Sequence, residues 1–210
     1  FRWHTGDIER VQWHNSDRPL AYDLSPYEET LLIDVDYLTF NNQLKGYFGG
    51  NHEFLCYDRV WDVTHTDSMK SDATMTLAGH PMLWATVVYF RKCELAHRIF
   101  EMMKNIQTTW YYQSKFWGFS SRNYRNDFSL TLAHQLMQGY QQGTTFNHPL
   151  PSLSTMDTIY KVKDSELLIK YMYNGSDNAV RIKDTNLHVM NKACLMDPEI
   201  RGELERYANV

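Results

Sequence analysis

The chain has 210 residues, 43% of them hydrophobic, and a formal net charge of −4 at pH 7. That length and apolar content allow one domain with a substantial core and exclude a disordered chain. The acidic balance gives no general electrostatic reason to bind nucleic acid. The three cysteines, Cys56, Cys93 and Cys194, show neither a disulfide framework nor a zinc spacing, which points to a reducing, cytoplasmic compartment. No uninterrupted apolar run is long enough to span a membrane.

Residues 1–20 are polar and aromatic without clear period, and the chain starts at Phe1 with no obvious first strand. This start suggests a longer protein whose N-terminal portion lies before Phe1. Ser25-Pro26-Tyr27-Glu28-Glu29 reads as a turn or short helical start. A strand follows over 30–35, and its apolar residues Leu31, Leu32 and Ile33 suit a buried position. It ends in Asp34-Val35-Asp36. In a strand, residues i and i+2 point to the same side, so Asp34 and Asp36 project together with only Val35 between them. Two carboxylates that close repel, and a divalent cation is the simplest partner that relieves them.

Gly49-Gly50-Asn51 is a turn, and 53–57 and 59–63 read as short strands. Residues 64–80, rich in Thr, Ser, Asp, Met and Gly, read as a long exposed loop, mobile or ligand-covering. Met82–Phe90 is apolar almost throughout, as a strand covered on both faces should be. One long helix is predicted over 93–112, with Leu95, Ile99, Met102, Met103 and Ile106 at helical spacing. A second helix is predicted over 127–140. Pro149 and Pro151 break the chain. Two strands, 158–162 and 167–173, flank a turn at Asp164-Ser165, and Asn174-Gly175 marks another turn before a strand-like 180–182. A final helix opens at Asp197-Pro198. Strands alternating with helices before a closing meander predict an α/β domain with a mixed sheet, spanning 1–210 as one unit.

A cation site needs a third ligand. His97 and His134 fall inside predicted helices and read as structural. His188 lies in Leu187-His188-Val189-Met190-Asn191-Lys192, where alternation puts His188 opposite Leu187 and Val189. A neutral imidazole beside two carboxylates makes a mixed oxygen–nitrogen site that suits Mn²⁺. Lys192, four residues on, is placed to neutralise a phosphate.

In this order the motifs resemble the GT-A type of nucleotide-sugar glycosyltransferase, in particular its glycogenin-like and galactosyltransferase-like branch. The segment from Glu29 to Phe40 looks like that family's Asp-x-Asp strand. His80–Phe90 with the 93–112 helix looks like its acceptor unit, and Arg125-Asn126-Asp127-Phe128 like the acidic opening of its next helix. His188 and Lys192 are similar to its late His and Lys.

The resemblance implies a mixed, mostly parallel central sheet flanked by helices, with the first nucleotide-binding strands before Phe1. It implies Mn²⁺ or Mg²⁺ held by Asp34, Asp36 and His188, and a nucleoside-diphosphate donor such as a UDP-sugar bound through Asp34, Asp36 and Lys192. It further implies Asp127 orienting the donor sugar or the acceptor hydroxyl, and a saccharide, protein or modified-DNA acceptor. Arg122 and Arg125 are candidates for acceptor or phosphate contacts. Two departures stand out. The family's Asn-x-Gly is replaced by Leu83-Trp84-Ala85-Thr86, and Asp127 lacks the usual following Gln.

Two other readings fit parts of the chain. Haloacid dehalogenase-like phosphatases also end a strand in Asp-x-Asp, but they want a small residue and then Thr, where this chain has Tyr37-Leu38 with Thr39 one position late. A non-catalytic structural or assembly protein could retain the fold without the chemistry.

Overall fold

The computed structural model describes residues 16–66, 74–119, 123–139 and 145–208. Contacts divide the chain into two units that alternate along it. The first takes residues through Ile33, Gly50–Arg59 and the stretch ending at Asn147, and the second takes Asp34–Gly49, the stretch opening at Val60, and His148 onward.

In the first unit, strands β1 (Glu29–Ile33), β3 (Phe54–Tyr57) and β5 (Trp84–Arg91) form a sheet in the order β1-β5-β3, antiparallel throughout. The helices are α1 (Ala21–Leu24), α2 (Glu94–Thr108), α3 (Trp110–Phe116) and α4 (Asn126–Met137). β5 is the central strand and is buried from Trp84 to Phe90, as its unbroken apolar run predicts. β1 lies at the edge, so its residues are half-buried rather than buried. α2 lays Ala96, Ile99, Phe100, Met103 and Ile106 into a core with Phe54, Phe90, Phe128 and Leu132. Those positions recur at three- and four-residue steps, which is what one helix face requires. The long helix predicted over 93–112 breaks at Thr109. Thr108 and Thr109 both turn their hydroxyls back to the Asn105 carbonyl, competing with the helical ladder.

In the second unit, β2 (Tyr37–Leu38), β4 (Val60–Asp62), β6 (Leu150–Leu153) and β10 (Leu187–Val189) form a mixed sheet in the order β2-β10-β6-β4. β2 runs antiparallel to β10, and β6 runs parallel to both β10 and β4. β7 (Thr158–Lys163), β8 (Glu166–Tyr173) and β9 (Ser176–Lys183) form an antiparallel meander. α5 (Lys192–Leu195) and α6 (Pro198–Ala208) close the chain. The β8–β9 turn has Asn174 at φ 51° and Gly175 at φ 75°. Two left-handed residues in succession match the strands' twist, which is why Asn-Gly marks this hairpin.

The chain is thus mixed α/β, but among the described residues parallel ladders are confined to β10–β6 and β6–β4, beside one isolated parallel bridge between Cys56 and Thr145, and no single, mostly parallel central sheet forms. β6 was unexpected, because Pro149 and Pro151 read as breakers. Pairing with β10 covers only Ser152 and Leu153, so the missing donor of Pro151 lies beside that ladder rather than in it. The segment 59–63 pairs with β6, not with its sequence neighbour β3. No helix among the described residues is long and apolar enough to cross a membrane.

Asn186 holds the second unit's sheet to the loop after β2. Its Oδ1 accepts the backbone N–H groups of Phe40 at 2.8 Å and Asn41 at 2.9 Å, and its Nδ2 donates to Asn41 Oδ1 at 2.8 Å. Asn186→Ala leaves the buried Phe40 N–H without its acceptor. We expect a loss of about 2 kcal/mol in urea unfolding, and a loss below about 0.5 kcal/mol would show that another acceptor replaces it.

Candidate metal centre

The apolar strand β1 delivers the chain to Asp34, and there the strand stops. The Tyr37 N–H donates to the Asp34 carbonyl at 3.1 Å, closing a turn with Val35 and Asp36 at its centre. Val35 is 98% exposed, while Asp36 is only 4% exposed. The two aspartates are therefore placed by a turn, not by strand alternation. The reason is local: Tyr37 must start β2, whose pairing partner β10 belongs to a different sheet from β1.

The β2–β10 register sets His188 opposite Tyr37, and the Val189 N–H donates to the Asp36 carbonyl at 2.8 Å. One turn and one short ladder thereby bring Asp34, Asp36 and His188 together. Each offers a ligand atom within 4.8 Å of the other two. Ligands of one cation with bonds of about 2.1 Å stand about 3 Å apart when adjacent and about 4.2 Å when opposite, so a small contraction completes the site.

His188 Nε2 is 3.8 Å from Asp36 Oδ1, and Lys192 Nζ is 2.9 Å from Asp36 Oδ2. Asp36 Oδ1 is a buried carboxylate oxygen without a hydrogen-bond partner. Such an atom is costly unless a cation meets it, and this is the observation that fits the site to a metal. Two carboxylates and an imidazole suit Mn²⁺ or Mg²⁺ among the common divalent ions, and Mn²⁺ better, because it accepts nitrogen more readily. Lys192 is the first residue of α5, with its side chain 69% exposed. It reaches Asp36 from the solvent side and can swing towards an anion.

Asp127 belongs to the first unit. Its Oδ1 accepts the Ala85 N–H at 2.9 Å and its Oδ2 accepts from Arg125 at 2.8 Å, so this side chain ties the start of α4 to β5. Arg125 also lies over the Phe128 ring at 5.4 Å. Arg122 and residues 67–73 of the predicted loop lie outside the described residues.

The sequence reading missed a second acidic group. Ser152 pairs with His188 on one side and with Asp62 on the other, so His188 and Asp62 project from the same sheet face, about 10 Å apart across two strand spacings. Asp62 and Asp157 are both buried. Thr64 Oγ1 lies 2.8 Å from Asp62 Oδ1 and 3.1 Å from Asp157 Oδ2, and Ser154 Oγ donates to Asp157 Oδ2 at 3.1 Å. Thr64 carries one hydroxyl proton and cannot donate to both carboxylates. Burial and the Asp62 charge push the Asp157 carboxyl up, against the pull of its hydroxyl partners. A neutral side chain at position 157 would relieve the repulsion with Asp62.

The expected result is that Asp157→Asn is at least as stable as the parent at pH 7, whereas Asp157→Ala loses about 1–2 kcal/mol. Thermal melting of both variants checks this, and an Asn variant as damaged as the Ala variant would mean that repulsion between the two carboxylates does not decide stability here. The sequence signal, Asp62-Val63-Thr64-His65-Thr66, was visible, but its partner Asp157 is joined only through the β4–β6 pairing.

Comparison of the chain with known protein families, with curated proteins and with solved structures gives no match.

Proposed function

We propose that the chain is a metal-dependent glycosyltransferase domain that moves a sugar from a nucleoside-diphosphate donor to an acceptor hydroxyl. The single observation that carries this reading is the convergence of Asp34, Asp36 and His188, with the unsatisfied Asp36 Oδ1 among them and Lys192 at the rim. The order of these residues along the chain is the order in the GT-A enzymes that the sequence resembles.

Asp34, Asp36 and His188 would hold Mn²⁺ or Mg²⁺, which when bound supplies positive charge to a leaving diphosphate. The rest belongs to the chain's own side chains. Asp36 is buried and fixed through its backbone to β10, so it presents its free oxygen in one direction without reorganisation. Lys192 lies 2.9 Å from Asp36 Oδ2 with its side chain 69% exposed, so at the rim of the site it would add positive charge for a phosphate oxygen. The Asp127 contacts to Ala85 and Arg125 support a positioning role within the first unit.

The test is calorimetric titration of Mn²⁺ with UDP, followed by a screen of UDP-sugars for metal-dependent hydrolysis. Metal-dependent nucleotide binding with slow donor hydrolysis supports the reading. Metal binding without nucleotide binding would sink it.

A further inference from the structure

The meander β7–β9 buries one face only. Ile159, Val162, Leu167 and Ile169 enter the core of the second unit, with Val180 and Ile182 packed against it. Strand alternation turns the residues between them to the opposite face, which these strands leave largely exposed.

That face is basic. Lys161 and Lys163 stand on β7, Lys170 on β8, and Arg181 and Lys183 on β9, all exposed, against Glu166 and Asp177. Register fixes their arrangement. Lys163, Glu166 and Lys183 lie across one rung, and Lys161, Leu168 and Arg181 across the next. The two cations on each outer strand are therefore about 7 Å apart, and the two pairs face each other across about 10 Å. Glu166 pairs with Arg181 at 3.3 Å. Among the described residues the four lysines of this face form no ion pair. Asp164 and Asp184 stand outside the ladders, at the turns that follow β7 and β9.

Five cations on one sheet face are a local imbalance in a chain of net charge −4. Like charges on neighbouring strands repel, and an anion laid over them relieves the repulsion. The face also carries an aromatic ring. Tyr160 sits at the irregularity of β7 between Ile159 and Lys161, is 57% exposed, and has Lys170 Nζ 3.5 Å from its ring centre.

These features select the partner. Lysine is depleted at protein–protein interfaces, and here it supplies four of the five cations. A membrane would need the cations around an apolar tip. The exposed Met172 and Tyr173 do form such a tip at the β8–β9 turn, but Lys163 and Lys183 lie at the other end of the strands. A single-stranded nucleic acid supplies a phosphate at every nucleotide for the rows of cations and unpaired bases for the exposed ring. We propose that the outer face of the β7–β9 meander binds single-stranded nucleic acid, with phosphates along the Lys161–Lys163 and Arg181–Lys183 rows and a base against Tyr160. The proposal goes beyond the glycosyltransferase reading and does not rest on the metal centre.

The test is fluorescence anisotropy of the full chain with a labelled oligodeoxythymidine of about 20 nucleotides, long enough for one such face. EDTA is present throughout, so that failure of the metal reading does not affect the outcome. About four phosphate contacts predict binding about 50-fold weaker at 200 mM than at 50 mM KCl. In Lys161→Gln/Lys163→Gln, affinity at 50 mM KCl should fall about tenfold or more, and the salt effect should shrink to about sevenfold. Arg181→Gln/Lys183→Gln reads the other row and should do the same. Tyr160→Leu should weaken binding about tenfold with the salt effect unchanged. All five positions are exposed, so the variants keep the fold, and matching melting temperatures verify it. Four outcomes would overturn the proposal: no oligonucleotide binding at 50 mM KCl; equal or tighter binding of the matching duplex; binding to phosphatidylserine vesicles alone; or an equal loss in Lys115→Gln, which changes an exposed lysine of the first unit.

Discussion

Asp36→Asn is expected to weaken Mn²⁺ binding severely while leaving the fold intact. Asp36 supplies the buried oxygen that no protein donor meets, and its backbone, not its carboxylate, holds β10. Exchanging the carboxylate for an amide removes one ligand charge and leaves the turn and the ladder unchanged. The affinity for Mn²⁺, read by electron paramagnetic resonance titration, should fall by about 100-fold or more. The same variant separates binding from stability. With Mn²⁺ at about 100 times its dissociation constant, the parent protein gains about 2.7 kcal/mol, which appears as a raised melting temperature.

Asp36→Asn should show no such rise. Without metal it should melt no lower than the parent, because the repulsion between Asp34 and Asp36 is relieved. Retained Mn²⁺ affinity in this variant would mean that the three side chains do not form the site. Loss of the fold would mean that the Lys192–Asp36 pair is structural.

The second large effect is acid destabilisation through His134. The side chain is 1% exposed, its ring lies 5.9 Å from that of Phe54, and neither ring nitrogen has a hydrogen-bond partner. Burial lowers its pKa to about 4. In the unfolded chain the imidazole titrates near its ordinary value of about 6.5. Above that pH it is neutral in both states and adds no pH dependence. As pH falls below it, the unfolded state takes up the proton and the folded state does not. Stability therefore drains away between about pH 6.5 and pH 4, by about 3 kcal/mol in all.

His134→Leu removes that dependence and also removes two unsatisfied nitrogens, so it should gain about 1 kcal/mol at pH 7.5. Urea unfolding of both proteins at pH 7.5, 6.0 and 5.0 measures it. The difference between the two profiles isolates His134 from every other titrating group. Parallel profiles would mean that the ring is protonated in the fold or hydrated within it.

Several local features were legible because their cause is local. The Asn174-Gly175 turn needs two residues that tolerate positive φ, and the sequence shows them. The buried run of β5 and the core face of α2 follow from residue type and spacing alone. The pattern of an apolar strand ending in Asp-x-Asp was visible for the same reason. His134 lies in a helix, as its surroundings in the sequence predict, but nothing local said that its nitrogens would go unmatched.

Tertiary structure decided the rest. That Asp34 and Asp36 converge through a turn follows from Tyr37 leaving β1's sheet to pair with β10. That His188 meets them follows from the β2–β10 register, which joins positions far apart in sequence. The strand at Leu150–Leu153 hid behind its prolines, because a strand whose missing donor falls outside a ladder leaves no trace in local pattern. The same strand aligns His188 with Asp62 and brings Asp157 to Thr64. Periodicity reports which face a residue takes within its own element, whereas register between distant strands is set by the summed packing of both, and that sum exists only in the folded chain.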